Sequence, residues 1–199
     1  MTEHYYSPQP TVAHQLQTFQ QKLRGREFSF VTDAGVFSKK GIDFGSRLLI
    51  ETVEVAREAK VLDVGCGYGP IGLAIAAEVD KGTVTMIDIN ERAVELAREN
   101  ARRNGLTNVR IMQSDTLDKV AGESFHCILT NPPIRAGKAI VHRIFEQAFE
   151  ALMSSGQLWV VIQKKQGAPS ALAKLESLFS KVDKISKDKG YWIIRCIKS

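Results

Sequence analysis

The sequence predicts an α/β fold in which helices cover both faces of a mostly parallel β-sheet. From Lys60 onward, short runs rich in β-branched residues alternate with helical stretches, a pattern typical of consecutive β-α-β units. The sheet of such a fold is buried on both faces. The last two predicted strands are separated by the tight turn Lys187–Gly190, so they are antiparallel and close the sheet with a hairpin.

Length and composition indicate a single globular domain. The chain has 199 residues, of which 44% are hydrophobic and 25% are charged, and these values are ordinary for one folded domain. We expect residues 1–45 to form an N-terminal extension packed on the core and residues 46–199 to form the main domain.

The same inspection excludes several classes of protein. No apolar run approaches the ~18 residues that span a bilayer. The N-terminus lacks the basic start and the apolar core of a secretory signal, so we expect a cytoplasmic protein. The three cysteines, Cys66, Cys127 and Cys196, form no CxxC pair, which argues against a zinc site and against a disulfide framework. We expect no metal.

Three elements are predicted before the alternating region. The pattern from His14 to Leu23 predicts a short helix with an apolar face. The segments Phe28–Val31 and Gly35–Ser38 predict a hairpin around a turn at Asp33–Gly35. Ser46 is the predicted N-cap of the next helix.

The alternating region supplies the rest of the sheet. Its strands are predicted at residues 61–64, 83–89, 109–112, 125–130 and 158–162. Helices are predicted near residues 71–79, 91–104, 139–153 and 169–180. The closing hairpin pairs Val182–Ser186 with Tyr191–Ile197.

A glycine-rich loop connects the first of these strands to its helix. Gly65, Gly67 and Gly69 allow the backbone to turn tightly and allow a ligand to approach it closely. Cys66 contributes a small side chain in this confined place, and Pro70 suits the first turn of a helix. In an open α/β sheet the ligand binds at the carboxyl ends of the strands. We call residues 65–69 the glycine loop and predict that it holds a cofactor.

The spacing of the loop indicates which cofactor. The dinucleotide fingerprint GxGxxG would place its third glycine at position 70, which is proline. Asp63 instead precedes the loop in a DxGxGxG arrangement. Its carboxylate would repel a pyrophosphate but attract a ligand that carries an ammonium and a sulfonium group. The loop therefore favours S-adenosylmethionine over NAD.

Two further carboxylates extend the predicted cofactor site. Asp88 ends the second strand of the alternating region, where a carboxylate can accept hydrogen bonds from both ribose hydroxyls. The alternative role is a helix cap, which Asn90 could also supply. Asp115 follows the third strand, where it can accept a hydrogen bond from an adenine amino group between apolar walls formed by Ile89 and Leu117. A turn or capping role for Asp115 is the alternative.

The sequence Asn131-Pro132-Pro133-Ile134, which we call the acceptor corner, follows the fourth strand. The two prolines end the strand and fix a rigid corner at the edge where the glycine loop also opens. Pro132 has a carbonyl but no N–H, and Asn131 has a side-chain carbonyl. Together they offer two acceptors for the two hydrogens of an exocyclic amino group. The alternative is a turn without chemical function.

An aromatic amine needs such an arrangement to react. Its nitrogen lone pair is delocalised into the ring, and two fixed acceptors pull the nitrogen toward tetrahedral geometry. A sulfonium is already a good leaving group, so methyl transfer needs alignment and electrostatic stabilisation more than a strong base.

The glycine loop, Asp88, Asp115 and the acceptor corner together resemble class I S-adenosylmethionine-dependent methyltransferases. More narrowly, the chain is similar to the small methyltransferase family, which includes ribosomal RNA guanine-N2 methyltransferases of the small-subunit type. The resemblance covers roughly residues 28–197. It implies a Rossmann-like, seven-stranded sheet of order 3-2-1-4-5-7-6 with strand 7 antiparallel.

The resemblance also implies roles for individual residues. The lead-in Gly35–Ser46 is similar to a segment that packs over the cofactor in the family, which places Phe37 and Asp43 in that site. Asn131, Pro132, Pro133 and Ile134 match the family's catalytic corner. The implied reaction is methyl transfer to guanine N2 of ribosomal RNA, with RNA or the small ribosomal subunit as partner.

Other acceptors stay open at this point. Many relatives carry an aromatic residue where this chain has Ile134, and tyrosine or phenylalanine there is typical of enzymes that modify adenine N6 or protein glutamine. Adenine N6, protein glutamine and a small molecule remain the alternative substrates. A nicotinamide-dependent oxidoreductase is disfavoured by Pro70, and a non-catalytic RNA-binding module is disfavoured by the intact acceptor corner.

The charge distribution bears on the partner. The net charge is +5, and residues 164–199 contain nine Lys/Arg against three Asp/Glu. This excess indicates either contact with a phosphate backbone or a solvated lysine-rich face and edge strand. Arg135, Lys138 and Arg143 beside the acceptor corner are candidate phosphate ligands, the alternative being an ordinary charged helix start. We expect substrate selection to come from residues 1–45 or from this basic segment.

Overall fold

The computed structural model describes residues 6–38 and 40–199. Its strands are β1 (Gln17–Leu23), β2 (Arg26–Thr32), β3 (Lys60–Val64), β4 (Thr83–Asp88), β5 (Val109–Gln113), β6 (Phe125–Thr130), β7 (Leu152–Gln163), β8 (Lys181–Asp188) and β9 (Tyr191–Ile197). Its helices are α1 (Phe44–Thr52), α2 (Pro70–Glu78), α3 (Glu91–Arg103), α4 (Lys138–Ala151) and α5 (Ala168–Leu178).

The central sheet has the predicted topology. Its strand order is β5-β4-β3-β6-β7-β9-β8, and β9 pairs antiparallel with both of its neighbours while the other pairs are parallel. Counted within this sheet alone, the order is 3-2-1-4-5-7-6 with the seventh strand antiparallel. The fold class is therefore confirmed. The parallel strands direct their carboxyl ends to one edge, which is where the glycine loop and the acceptor corner lie.

Apolar layers on both faces hold the sheet in place. Val61 and its face pack with α1, α2 and α3, whereas Leu62 and the opposite face pack with α4 and α5. Adjacent residues of β3 thus point into different layers, as the two-residue repeat of a strand requires. No helix in the two described ranges is long and apolar enough to cross a membrane.

The helix predicted from His14 to Leu23 is wrong. Residues 17–23 form β1, which pairs antiparallel with β2 in a separate two-stranded sheet. The connecting residues Arg24 and Gly25 both have positive φ, at 48° and 81°, as in the two-residue turns that suit the twist of a hairpin. The spacing of Leu16, Phe19 and Leu23 fits a helix face, but the turn and the pairing decide the conformation.

The hairpin predicted around Asp33–Gly35 is also wrong. Its first arm belongs to β2, and residues 34–38 form turns instead of a strand. Asp33 is buried and accepts the backbone N–H of Ala34 at 2.7 Å, so it fixes a loop and not a strand pair.

Side-chain amides on α3 attach the hairpin to the main domain. Asn100 Oδ1 accepts the Val31 N–H at 2.7 Å, and Asn100 Nδ2 donates to the carbonyls of Val31 and Tyr68 at 2.9 and 2.8 Å. Phe19 and Phe30 contact the edge of the buried Tyr68 ring. The extension therefore supports the glycine loop from behind, because Tyr68 belongs to that loop.

The start of α1 differs from the prediction in its capping residue. Asp43 is the N-cap, and its Oδ2 accepts the N–H of Ser46 at 3.0 Å. Ser46 is the third residue of the helix. Its hydroxyl is therefore not engaged in capping, which matters for the site described next.

Candidate cofactor and acceptor site

A single cleft at the carboxyl edge of the sheet contains most of the predicted site residues. The cleft, together with the open space above it, occupies about 880 Å³. The predicted residues that line it are Phe37, Asp43, Gly65, Cys66, Gly67, Asp88, Ile89, Asn90, Asn131, Pro132 and Pro133. The structure thus brings the glycine loop and the acceptor corner to opposite sides of one space.

The glycine loop is fixed to the end of β4 by its own backbone. The N–H groups of Gly65 and Cys66 both donate to the Ile87 carbonyl, at 2.8 and 2.9 Å. The Gly67 N–H donates to Asp88 Oδ2 at 2.8 Å. Gly65 and Gly67 have φ of 74° and 56°, and a Cβ at either position would meet no atom within 4 Å. The loop is therefore strained for any side chain and open toward the cleft.

Asp63 lies beneath the loop and does not line the cleft. Its side chain is fully buried, and Oδ2 accepts the Gly72 N–H of α2 at 2.8 Å. Oδ1 has no hydrogen-bond partner in the described part of the chain. Burial raises the pKa of Asp63 to about 7, against the opposing effect of the Gly72 bond. Of the predicted cofactor residues, it is the one placed behind the loop, where it anchors the start of α2.

Asp88 occupies the opposite side of the loop and lines the cleft. In addition to the Gly67 bond, its Oδ1 accepts the Asn90 N–H at 2.9 Å. Burial raises the pKa of Asp88 to about 6, and the backbone donors only partly counter this effect. Asn90 is the N-cap of α3, with its side chain accepting the Ala93 N–H. The capping alternative for Asp88 is thereby decided in favour of Asn90.

These features fit the predicted cofactor. Asp63 and Asp88 are carboxylates with raised pKa, and neither forms an ion pair within residues 6–38 and 40–199. A cationic ligand in the cleft would stabilise the ionised form of Asp88, which lines it. Space for it exists above Gly65 and Gly67. Asp88 retains acceptor capacity for hydroxyl groups, since each carboxylate oxygen has more than one lone pair.

Asp115 is placed differently from the prediction. Its side chain is 51% exposed, and Oδ2 lies 3.6 Å from Nη1 of Arg143. Its neighbours Ser114 and Thr116 line the cleft instead, and Leu117 is buried in the core. Because Asp115 lies at the rim of the cleft, its contact with an adenine edge stays a prediction.

Arg143, a predicted phosphate ligand, is engaged within the protein. Its Nη2 donates to both carboxylate oxygens of Asp118, at 2.8 and 2.7 Å. This ion pair attaches α4 to the turn after β5. Arg135 and Lys138 remain exposed beside the acceptor corner. The three predicted phosphate ligands therefore differ, since Arg143 is ion-paired and the other two are exposed.

Tyr6 lines the cleft although no sequence pattern indicated it. The segment that follows it crosses the start of α3, where the Pro8 carbonyl accepts the Glu91 N–H at 3.0 Å and the Val12 carbonyl accepts from Arg92 at 2.9 Å. Burial, together with Asp115 and Asp88, raises the pKa of Tyr6 to about 12. A polar segment with two prolines has no periodicity, and only tertiary contacts bring it here.

The acceptor corner is oriented by the start of α1. Asn131 Nδ2 donates to Ser46 Oγ at 3.0 Å and to Asp43 Oδ2 at 3.3 Å. The amide plane is therefore fixed, and Oδ1 accepts no hydrogen bond from the described residues. Thr130, immediately before the corner, donates its hydroxyl to the Val64 carbonyl at 2.9 Å, which joins the corner to the strand that precedes the glycine loop.

The two prolines differ in what their carbonyls do. The Pro133 carbonyl accepts the Ala136 N–H at 2.9 Å and so begins the 3-10 turn Ile134–Ala136. The Pro132 carbonyl has no such partner among the described residues. Ile134 does not line the cleft but contributes to a neighbouring groove. The corner thus presents two unpaired acceptors, Asn131 Oδ1 and the Pro132 carbonyl.

Metal and thiol chemistry find no support in this part of the molecule. Within the described ranges, no three His, Cys, Asp or Glu side chains are grouped so that they could hold a metal ion. Cys66, Cys127 and Cys196 are free and buried, and burial raises the pKa of the Cys66 thiol well above its ordinary value.

Comparison with known proteins identifies the family of the chain. A family model described as "methyltransferase small domain" matches residues 27–195. The uncharacterized protein YbxB of Bacillus subtilis (strain 168) is 58% identical over an alignment of 200 positions that covers 100% of each chain. Ribosomal RNA large subunit methyltransferase G of Aeromonas salmonicida (strain A449) is 33% identical over 183 residues, or 88% of this chain and 48% of that protein.

A solved structure shows the same arrangement of elements. The Thermus thermophilus 16S rRNA N2 G1207 methyltransferase RsmC, in complex with AdoMet and guanosine, aligns with a TM-score of 0.82 at 25% identity. The alignment covers 96% of this chain and 52% of that one. The chain therefore spans about half the length of the ribosomal RNA methyltransferases that it matches.

Proposed function

The chain belongs to the methyltransferase small domain family and uses S-adenosylmethionine as its cofactor, and we propose that it methylates the 2-amino group of a guanine in ribosomal RNA. The observation that carries this proposal is the orientation of Asn131. Asp43 and Ser46 hold its amide nitrogen, so its oxygen is the free acceptor in a cleft that also contains the glycine loop.

The residues of the chain act by binding and alignment. When bound, S-adenosylmethionine supplies an electrophilic methyl group on a good leaving group. Asn131 Oδ1 and the Pro132 carbonyl would each accept one hydrogen of the amino group, which directs the nitrogen lone pair away from the ring. The nitrogen–methyl bond would form as the sulfur–methyl bond breaks, with S-adenosylhomocysteine as the leaving group and one amino proton released to solvent. Both acceptors are neutral and held before the substrate arrives, so little reorganisation is needed during the reaction.

The buried carboxylates serve the cofactor side of the cleft. Asp88 would hold the ribose hydroxyls, and the backbone of Gly65 and Gly67 would hold the amino-acid portion. Asp63 contributes through the loop that it supports from below. Phe37, which lines the cleft and is 41% exposed, covers the cofactor from the lead-in side.

The choice of guanine and of ribosomal RNA rests on the relatives. Both the Aeromonas and the Thermus proteins are named as ribosomal RNA methyltransferases, and the name of the latter specifies N2 of a guanine. The acceptor pair of this chain suits any exocyclic amino group. The target base, the RNA and a cytoplasmic location are therefore parts of the proposal.

Product analysis tests the proposal directly. Ribosomal RNA and intact subunits from a strain that lacks this gene are incubated with the purified protein and tritiated S-adenosylmethionine, then digested to nucleosides and separated by liquid chromatography with mass detection. We expect label in N2-methylguanosine, and we expect the same nucleoside to be reduced in untreated RNA from the deletion strain.

Three other results would each overturn the guanine assignment. Label in N6-methyladenosine would identify a different base. Label that resists ribonuclease would identify a protein acceptor. The absence of label from both RNA and subunits, with cofactor binding intact, would point to a small-molecule acceptor.

A further inference from the structure

A group of exposed cations surrounds the acceptor corner. We call Arg135, Lys138, Lys164, Lys165, Lys187 and Lys189 the lysine rim. In the sheet register, Gln163 at the end of β7 and Asp188 at the end of β8 both lie opposite Tyr191. The carboxyl ends of β7 and β8 therefore reach the same edge as the end of β6, which carries Asn131.

Direct contacts place the rim next to the reacting groups. The Lys164 N–H donates to the Gly190 carbonyl at 2.7 Å, which joins the end of β7 to the β8–β9 turn. Lys189 Nζ lies 4.8 Å from the centre of the Phe44 ring. Phe44 immediately follows Asp43, which binds the Asn131 amide. Lys189 of the rim thus contacts the residue next to Asp43, whose side chain orients the Asn131 amide.

The rim cations have no ion-pair partners among the described residues, although Lys187 and Lys189 contact aromatic rings. None of them is within ion-pair distance of a carboxylate in the described residues, although Asp188 lies in the same turn as Lys187 and Lys189. On the cofactor side, by contrast, Arg92 pairs with Asp33 and Arg143 pairs with Asp118. Adjacent unpaired cations repel one another, so a polyanion that binds them relieves this repulsion.

A groove runs from the acceptor corner into the rim. It encloses about 410 Å³ and is lined by Ile134, Lys138, His142, Ile162, Gln166 and Ser170 among others. Its floor is apolar and its edges are polar. Beyond it, Lys184 and Lys187 hold their amines 4.7 and 5.6 Å from the centre of the Trp192 ring. Cations around aromatic and apolar surface are typical of sites for single-stranded nucleic acid.

We infer that the lysine rim binds the phosphates of a single-stranded RNA segment on either side of the target base. This inference rests on the proposed function and names the surface that selects its substrate. Protein–protein interfaces are depleted in lysine at their centre, whereas the lysine rim concentrates exposed cations around the groove. An unpaired strand also presents its base to the corner without the cost of disrupting a duplex.

Binding without catalysis tests the surface. The probe is a fluorescein-labelled single-stranded oligoribonucleotide with one central guanine, and anisotropy gives its Kd at several salt concentrations. The test variant is Lys164→Gln with Lys187→Gln. The matched control is Lys81→Gln with Lys181→Gln, since both lysines are exposed at the amino edge of the sheet, before β4 and at the start of β8.

We expect the rim variant to bind about tenfold more weakly at 0.1 M salt, with the slope of log K against log salt reduced by about 1.4 for two lost phosphate contacts. The control should stay within about twofold of the wild type. Equal affinities of the rim variant and the wild type would overturn the inference, as would an equal loss in the control. Unchanged RNA affinity with weaker binding of polyglutamate would assign the rim to an acidic protein and also overturn it.

The outcome is separable from that of the proposed function. Rim-dependent RNA binding by a protein that makes no N2-methylguanosine would remove the proposed reaction and leave the surface intact. Methyl transfer to RNA by the rim variant at the wild-type KM would do the reverse. Thermal unfolding of both double variants should match the wild type, because the altered side chains are exposed.

Discussion

The glycine loop and the acceptor corner face the same cleft but are held by different means. Backbone N–H groups of Gly65, Cys66 and Gly67 fix the loop to β4 and to Asp88. The corner depends on one side-chain amide, which two other side chains orient. The backbone therefore fixes most of the geometry of the cofactor side. Three side chains, which substitution can remove one at a time, fix the geometry of the acceptor side.

The glycine loop and the acceptor corner also differ in the charges that surround them. Arg92 and Arg143 near the cofactor side are paired with carboxylates, whereas Asp63 and Asp88, whose pKa values are raised, form no ion pair among the described residues. Cations near the corner are exposed and unpaired. We therefore propose that the cofactor side binds a small, positively charged ligand and that the surface around the corner binds a large, negatively charged one. Substitutions should therefore separate cofactor binding from methyl transfer.

The largest expected effect breaks the corner itself. Asn131→Ala removes an acceptor that is fixed before the substrate binds, and we expect kcat to fall by about 10²–10³-fold. Initial rates of tritium transfer measure this loss. The Kd for S-adenosylmethionine, measured by calorimetry, should change by no more than about twofold. Transfer at the wild-type rate would contradict the role given to the corner.

The next effect belongs to the cofactor side and depends on pH. Ionised Asp88 accepts hydrogen bonds more strongly than its protonated form, and its pKa is raised to about 6 by burial. Bound cofactor favours the ionised form, so affinity should be highest above pH 6 and should fall as pH decreases below it, by up to about tenfold per unit. Asp88→Asn should weaken binding about 10- to 100-fold at pH 7.5 and flatten this profile.

Asp63→Asn is the control for that profile, because Asp63 also has a raised pKa but lies beneath the loop. Cofactor titrations from pH 5 to 8 compare the three proteins. A profile that persists in Asp88→Asn and disappears in Asp63→Asn would show that the wrong carboxylate had been assigned.

The smallest of these effects sharpens the comparison within the corner. Asp43→Ala and Ser46→Ala each remove one of the bonds that orient Asn131, and we expect kcat to decrease about tenfold with little change in the Kd for the cofactor. Asp43→Asn keeps an oxygen that can accept from both Ser46 and Asn131, so it should retain activity. Asp43→Ala also removes a helix cap, at a cost of ~1 kcal/mol, which urea unfolding measures. A change in cofactor Kd alone would make Asp43 a cofactor residue and not a positioning residue.

The parts of the fold that sequence predicted correctly are those with a local signal. The strands from β3 onward, the helices between them and the position of the acceptor corner follow from apolar runs bounded by glycine, proline and polar residues. The helix predicted within the N-terminal extension was wrong, because Leu16, Phe19 and Leu23 match a helix and Arg24-Gly25 is an inconspicuous turn. Pairing with β2 and attachment to Asn100 decide that segment, and both are long-range.

The site shows the same division. Glycine spacing, Asp88 and Asn131 indicated their chemistry from sequence, since each has few ways to serve at the end of a parallel strand. No sequence pattern indicated Tyr6, and contacts between distant segments decided where Asp115 and Arg143 lie. The two residues that hold the Asn131 amide are also distant in sequence, since Asp43 lies 88 residues before it and Ser46 lies 85 residues before it.

Sequence by itself thus determined the fold class and indicated the cofactor, because periodicity and backbone requirements are encoded over a few neighbouring residues; the amino-group acceptor that it suggested stays a proposal. The tertiary structure alone decided which amide atom of Asn131 is free, which cations are already paired and which acids of raised pKa lack an ion-pair partner. Those properties depend on distances between segments far apart in the chain, and they are the ones that assign the two sides of the cleft to two different ligands.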